Sequence, residues 1–247
     1  MATVLLPGLH NLNIALPGGE IAFGPSQLWY DNRWQRQAGC GPATLAGQCL
    51  YLASTLSACA PLYPGEVYPS GKLQDYRGVR ALMDRTWDAV TPGPMGVNRL
   101  SMLADGGVAY AAERDVVLAS RQLRVGPGER PTTQEATAFL TPPLLAGLPV
   151  AFLNLSAGKL TNLESWHWVL LVGLEMDDGA CIAIISDQGQ RKRIDLGLWL
   201  ATSRMGGGFV FFQPGRARSV IWKRQQDQTG KAIPAWPMRL HLKRKGV

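Results

Sequence analysis

The stretch Gly39-Cys40-Gly41-Pro42-Ala43-Thr44-Leu45-Ala46 predicts the start of a helix with a cysteine in its first turn. Pro42 favours this position because its fixed φ suits a helix start and its missing N–H is not needed there. A helix N-terminus favours thiolate over thiol, since it carries unpaired N–H groups and the positive end of the helix dipole. We expect the glycines on both sides of Cys40 to leave room for another molecule. Cys40 is therefore a candidate nucleophile; the alternative is a helix start with an incidental cysteine.

The other cysteines do not form a metal or disulfide pattern. The four cysteines stand at positions 40, 49, 59 and 181, with no C-x-x-C pair among them. This spacing indicates neither a zinc site nor a disulfide framework, and it favours a reducing, cytoplasmic compartment. Cys49 follows Cys40 by nine residues, which places it about 180° from Cys40 around a helix. Its apolar neighbours indicate that it belongs to the core.

A cysteine nucleophile needs a base, and the chain has three histidines, His10, His167 and His241. His167 stands in an apolar segment, Trp166 to Leu174, that predicts a strand. Residues 175–179 then form a turn signal, and residues 180–186 predict the antiparallel partner strand. His167 is therefore the candidate base.

The predicted hairpin also supplies a partner for this histidine. Folding the two strands about the turn sets Leu174 near Ala180 and brings His167 opposite residues 187–190. Directly opposed side chains in such a ladder have Cβ atoms about 4.5–5.5 Å apart, which suits an imidazole that donates to a carboxylate. Asp187 is thus the predicted orienter of His167. The alternative is a half-buried hairpin whose His and Asp cap its open end.

Three short motifs, in this order, resemble a known superfamily. They are Cys40 opening a helix, His167 starting an apolar strand after the segment 149–153, and Asp187-Gln188-Gly189 ending the next strand. The chain resembles the papain-like cysteine peptidases, and within them most of all the bacterial double-glycine leader (bacteriocin-processing) peptidases and their free-standing relatives. The resemblance covers roughly residues 30 to 213.

The resemblance implies a papain-like α+β fold, in which an N-terminal helix carrying the cysteine packs on an antiparallel sheet carrying His and Asp. It also implies hydrolysis of an amide through an acyl-enzyme, no cofactor, and a glutamine upstream of the cysteine that helps to bind the oxyanion. Gln35 and Gln37 are the two candidates. Gln35 is preferred because its separation of five residues from Cys40 is nearer the family spacing, although Trp34 occupies the position six before.

The sequence therefore predicts a thiol-dependent amide hydrolase, a cysteine peptidase with the triad Cys40, His167 and Asp187 and a peptide or protein substrate. His167 would take the Cys40 proton, and Asp187 would fix the tautomer of the imidazole ring. The alternatives are a peptidoglycan amidase, an isopeptidase or an acyltransferase on the same fold, or an inactive binding module. The triad alone does not separate these, because the cleft selects the donor and the acceptor.

Charge divides the chain into two predicted parts. Residues 1–214, the predicted peptidase domain, hold 16 Lys/Arg against 17 Asp/Glu, whereas residues 215–247 hold nine against one. This basic extension could contact an anionic partner. Alternatively, residues 238–243 alternate like an edge strand, whose exposed lysines discourage aggregation. No stretch approaches the roughly 18 apolar residues of a membrane span.

Between the two halves of the predicted site the sequence favours helices followed by strands. The expected elements are a helix over 73–90, a break at 91–94, a short helix over 98–104 and a strand over 115–119. Thr132 and Glu135 form a capping box that opens a helix toward Leu140. Gly18-Gly19 is first of all a turn signal, with a cleavable leader as the other interpretation.

Overall fold

The computed structural model describes residues 2–65, 73–177 and 179–215. They adopt an α+β fold in which N-terminal helices pack against a mostly antiparallel sheet. The helices are α1 (Arg33–Ala38), α2 (Cys40–Thr55), α3 (Tyr76–Val90), α4 (Leu100–Ala112), α5 (Thr133–Leu145) and α6 (Leu196–Thr202). The strands are β1 (Ala2–Leu5), β2 (Asn13–Ala15), β3 (Ile21–Phe23), β4 (Gln74–Asp75), β5 (Leu118–Val125), β6 (Val150–Asn154), β7 (His167–Asp177), β8 (Ala180–Asp187), β9 (Gln190–Asp195) and β10 (Gly207–Pro214).

The main sheet has seven strands, with β5-β10-β6-β7-β8-β9 as its path and β1 beside β7. Its pairs are all antiparallel. The first half of β7 pairs with β6 and its second half with β1, so β7 lies near the centre of the sheet. A small second sheet has the order β3-β2-β4, in which β2 and β4 are parallel.

Helix α2 is the central helix of the fold. It packs against α3 and α4 on one side and against β6 and β7 on the other. Its residues 40–53 are all buried, which explains why its sequence is apolar round the whole circumference rather than along one stripe. The predicted helix start at Cys40 is confirmed, and Cys49 is buried in the core as predicted.

The hairpin of β7 and β8 is confirmed, but its predicted register is wrong. Leu174 pairs with Ala183, not with Ala180, because the strands continue to Asp177 and the connection is correspondingly tight. A bulge between Leu171 and Gly173 then shifts the ladder by one residue. The start of β7 and the end of β8 still lie side by side, and the predicted contact between His167 and Asp187 depends on this.

The boundaries of the intervening elements differ from the prediction in three places. The helix expected over 73–90 begins at Tyr76, because Asp75 accepts a hydrogen bond from the Gly78 N–H at 2.8 Å and caps it. The short helix expected over 98–104 is α4, which runs on to Ala112. The strand expected over 115–119 begins only at Leu118.

Two other local predictions are confirmed. Thr132 and Glu135 form a capping box at the start of α5. Gly19, with a φ of 86°, lies in the turn between β2 and β3, where its N–H donates to the Leu16 carbonyl at 2.9 Å. The glycine pair is thus part of a turn, as its first interpretation requires.

The predictions for the basic extension, residues 215–247, lie outside the described residues apart from Gly215. Within the part of the chain that the structure describes, no helix is both long enough and apolar enough to cross a membrane.

Candidate active site

Cys40 is the first residue of α2, separated from the end of α1 by Gly39 alone. The expectation that the flanking glycines leave room for another molecule is wrong, because the protein itself fills that space. A Cβ on Gly39 would lie 2.6 Å from a ring carbon of Tyr30, and one on Gly41 would lie 2.8 Å from Cβ of Val97. The glycines therefore allow these two side chains to pack against the helix start.

His167 and Asp187 meet as the sequence predicts. His167 is the first residue of β7 and Asp187 the last of β8, and each is only 4% exposed. The Nε2 of His167 lies 2.7 Å from Oδ1 of Asp187. Cys40 borders the same cavity as His167 and interacts with its ring, and since Nε2 faces Asp187, Nδ1 is the ring nitrogen left for the thiol. The structure thus brings the three predicted triad residues together.

The contacts within this triad set the ionisation of its buried members. Burial alone lowers the pKa of His167, but hydrogen bonds to Asp187 and Cys40, and the charges of both, raise it to about 10. Burial raises the pKa of Asp187, yet hydrogen bonds and charge interactions with His167 and Lys192 lower it below its usual value. At neutral pH the pair is therefore an imidazolium and a carboxylate.

Left-handed backbone flanks the triad on both strands. Trp166, directly before His167, has a φ of 57°. Such a conformation costs a non-glycine residue of order 1–3 kcal/mol and is found most often at functional sites. Gln188 and Gly189 have φ values of 49° and 78° and join Asp187 to its pairing partner Gln190, which is the pattern of a type I′ hairpin turn. The tight turn fixes the position of Asp187.

A buried amide supports the strand end that carries the histidine. Asn154, at the end of β6, pairs with His167 across the ladder. Its Nδ2 donates to the Glu164 carbonyl at 2.6 Å, and its Oδ1 accepts from Nε1 of Trp199 at 2.8 Å. Nε1 of Trp168 donates to the Val97 carbonyl at 2.6 Å. These hydrogen bonds hold this end of β6 and β7 in one position relative to the helix start.

Two cavities meet at Cys40. The inner cavity, of about 20 Å³, lies between α2 and the ends of β7 and β8. The outer groove, of about 260 Å³, opens beside the helix start. The described residues that line this groove include no charged side chain; they are Trp34, Gln37, Ala38, Cys40, Pro94, Met95, Gly96, Val97, Leu153, Leu155 and Trp166.

The structure distinguishes the candidate oxyanion donors. Gln35 is half-buried on α1 and borders neither cavity, whereas Gln37 borders the outer groove. Gln27, which the sequence analysis did not single out, borders the inner cavity. Its Nε2 donates to the Arg36 carbonyl at 2.8 Å, and its buried Oε1 has no hydrogen-bond partner among the described residues. No local motif marks Gln27, because only the tertiary fold brings it to Cys40.

Lys192 is a further residue that the sequence analysis missed. Its Nζ lies 2.7 Å from Oδ2 of Asp187, the oxygen that does not face His167. The signal that could have found it is the turn at Gln188-Gly189, which predicts a second hairpin and places Lys192 on the same face as Asp187.

Comparisons with known proteins find no match for this chain. No protein-family model matches the chain, and no curated protein matches it either. Among the described residues, no group of three or more His, Cys, Asp and Glu side chains is arranged to hold a metal ion.

Proposed function

We propose that this chain is a cysteine peptidase with a papain-like fold, which hydrolyses an amide through a thioester on Cys40. The observation that carries the proposal is the row Cys40–His167–Asp187, in which one histidine contacts both the thiol and the carboxylate. A nucleophile, a base and an orienter in this order are the requirements for acyl transfer to a side chain.

The mechanism follows from these contacts. His167 holds the proton of Cys40, and the thiolate attacks the carbonyl carbon of the substrate. The oxyanion accepts hydrogen bonds from the N–H groups at the start of α2 and from a glutamine amide. The imidazolium then gives its proton to the leaving amine, and the C–N bond breaks to leave the thioester. Water, deprotonated by His167, hydrolyses the thioester and regenerates the thiol.

The groove beside Cys40 supports an apolar substrate near the scissile amide. Its mouth exposes three large apolar side chains, Trp34 at 40%, Met95 at 60% and Trp166 at 43%. Exposed apolar groups clustered at one concave site favour ligand binding over mere surface packing. A peptide with a bulky apolar residue next to the cleaved bond fits such a groove.

Digestion of a proteome-derived peptide library by the full chain tests the proposal. We expect cleavage by the wild type and by the Cys49→Ala and Cys59→Ala controls, and none by Cys40→Ala or His167→Ala. The cleavage sites should be enriched in apolar residues near the broken bond. Cleavage by a folded Cys40→Ala protein would contradict the proposal.

The library also separates the alternatives on the same acyl-enzyme. Products joined to an added amine instead of water would identify an acyltransferase. Cleavage of cross-linked peptidoglycan or of lysine side-chain amides, with the peptide library intact, would identify an amidase or an isopeptidase. An unreactive Cys40 would leave a binding module.

A further inference from the structure

Lys192 contacts the side of the Asp187 carboxylate that faces away from His167. Its Nζ lies 2.7 Å from Oδ2 of Asp187, while Oδ1 of the same carboxylate lies 2.7 Å from Nε2 of His167. The carboxylate is thus held from both sides, by β7 and by β9. The Lys192 side chain is 33% exposed and that of Asp187 only 4%, so the ammonium keeps contact with water while the carboxylate does not.

We propose that Lys192 is a positioning residue that keeps Asp187 ionised and holds its carboxylate in the orientation that His167 requires. This inference rests on the proposed function, because it gives Lys192 a part in activating Cys40. A carboxylate withdrawn from water is stable as an anion only when it is paired. Without Lys192, Oδ2 of Asp187 would be a buried acceptor with one ionic partner fewer.

The register of the second hairpin fixes this contact. Asp187 pairs with Gln190, and Lys192 follows two residues later on β9, on the same face of the sheet. Arg191 points to the opposite face, where its guanidinium lies 6.0 Å from the centre of the Phe23 ring. Arg191 therefore offers a matched control, since it carries the same charge on the same strand.

Few other ionisable groups face Asp187. Strand β3, which packs against β9, contains none. Arg193 on β9 pairs with Glu175 instead. The ionisable groups that line the cavity beside Asp187, among the described residues, are Cys40 on α2 and His167 on β7.

Loss of the Lys192 cation should raise the pKa of the Asp187 carboxyl. A cation within a few ångströms lowers a carboxyl pKa by about 1–3 units, so its removal raises that pKa. Once protonated, Asp187 no longer stabilises the imidazolium that the proposed mechanism needs beside Cys40. Loss of Lys192 should therefore weaken the site on the acid side and leave it nearly intact at neutral pH.

The rate of Cys40 alkylation by iodoacetamide, followed by peptide mapping of the full chain from pH 3 to pH 8, tests this without a substrate. For Lys192→Met and Lys192→Gln we expect the acid-side fall in rate to move up by about one pH unit, with the neutral rate within about twofold. Lys192→Arg and Arg191→Met should keep the wild-type profile.

The outcomes separate the two proposals. An unchanged profile in Lys192→Met, or an equal loss of rate at every pH, would overturn the role of Lys192. If the wild type and His167→Ala are alkylated alike, the proposed function fails instead. If the wild type reacts faster than His167→Ala and the Lys192 variants match the wild type, the inference on Lys192 alone is wrong.

Discussion

Cys40 and Cys49 are both buried on the same helix, yet their neighbours differ. Cys49 is 1% exposed, and its burial, with a further contribution from Cys59, raises its pKa to about 12 despite Arg114. Cys40 begins the helix, contacts His167 and borders two cavities. The comparison teaches that a place on α2 alone does not provide the groups that the proposed reaction needs; only at the start of α2 does a cysteine meet the hairpin of β7 and β8, which carries the candidate base and its orienter.

After His167 itself, Asp187 is the residue of that hairpin whose loss should affect Cys40 most. We expect Asp187→Ala to lower kcat/KM by about 10²-fold or more, because the imidazole loses its orienter. Asp187→Asn should lose less, since an amide can still fix the ring, as in papain-like enzymes that use Asn. Steady-state kinetics on a peptide from the library measures both.

The control for these variants is Asp195→Asn, which changes a cap on the Leu198 N–H at the start of α6 and no group of the site. It should leave kcat/KM near the wild-type value. Equal and negligible effects of both Asp187 variants would mean that the contact with His167 has no part in the reaction.

Substitution of three glutamines tests which of them donates a hydrogen bond to the oxyanion beside Cys40. Gln37 borders the groove, so Gln37→Ala should lower kcat by about 10- to 100-fold with little change in KM. Gln35→Ala should change kcat less than about twofold, because Gln35 borders neither cavity. The same kinetic assay ranks them, with Gln27→Ala as a third arm. A larger loss of kcat in Gln35→Ala than in Gln37→Ala would identify Gln35, which the sequence spacing favours, as the oxyanion donor.

The smallest of the expected effects is a change with pH in the free energy of unfolding that His167 contributes. The pKa of His167 is raised from 6.5 to about 10, so its contribution to stability is fully present below pH 6.5 and is lost as the pH rises toward 10. The lowered pKa of Asp187 adds a contribution that is lost in acid. Urea unfolding should show the wild type gaining over His167→Gln most at about pH 5–6.5 and least near pH 10. A difference that does not vary with pH would contradict the assigned ionisation.

Local sequence signals predicted the elements that carry the site. Pro42 after Cys40 indicated the helix start, and the capping box of Thr132 and Glu135 indicated α5. The contact of His167 with Asp187 was also predicted, although the register behind it was wrong by three residues at Leu174. The bulge takes back one of these three residues, so that Leu170 pairs with Ser186, two residues beyond the predicted partner. The contact survives because a shift of two residues keeps the side chains on the same face of the sheet.

Features that depend on tertiary packing could not be predicted from the sequence. The space beside Gly39 and Gly41 is filled by Tyr30 and Val97, which local spacing does not reveal. Gln27 reaches the inner cavity only because the chain folds back over α2. Lys192 is the exception, because the turn at Gln188-Gly189 indicates the second hairpin whose register brings Lys192 to the face of Asp187.

The most direct test of the central claim compares the two cysteines of α2 in one protein. The wild type and His167→Ala are treated with iodoacetamide at pH 7, and modification of Cys40 and Cys49 is followed by mass spectrometry, with urea-unfolded protein as the control. We predict that native Cys40 reacts at least about tenfold faster than Cys49, that His167→Ala removes most of this advantage, and that the two react alike when unfolded. Equal rates in the native wild type, or a Cys40 rate that His167→Ala leaves unchanged, would contradict the account.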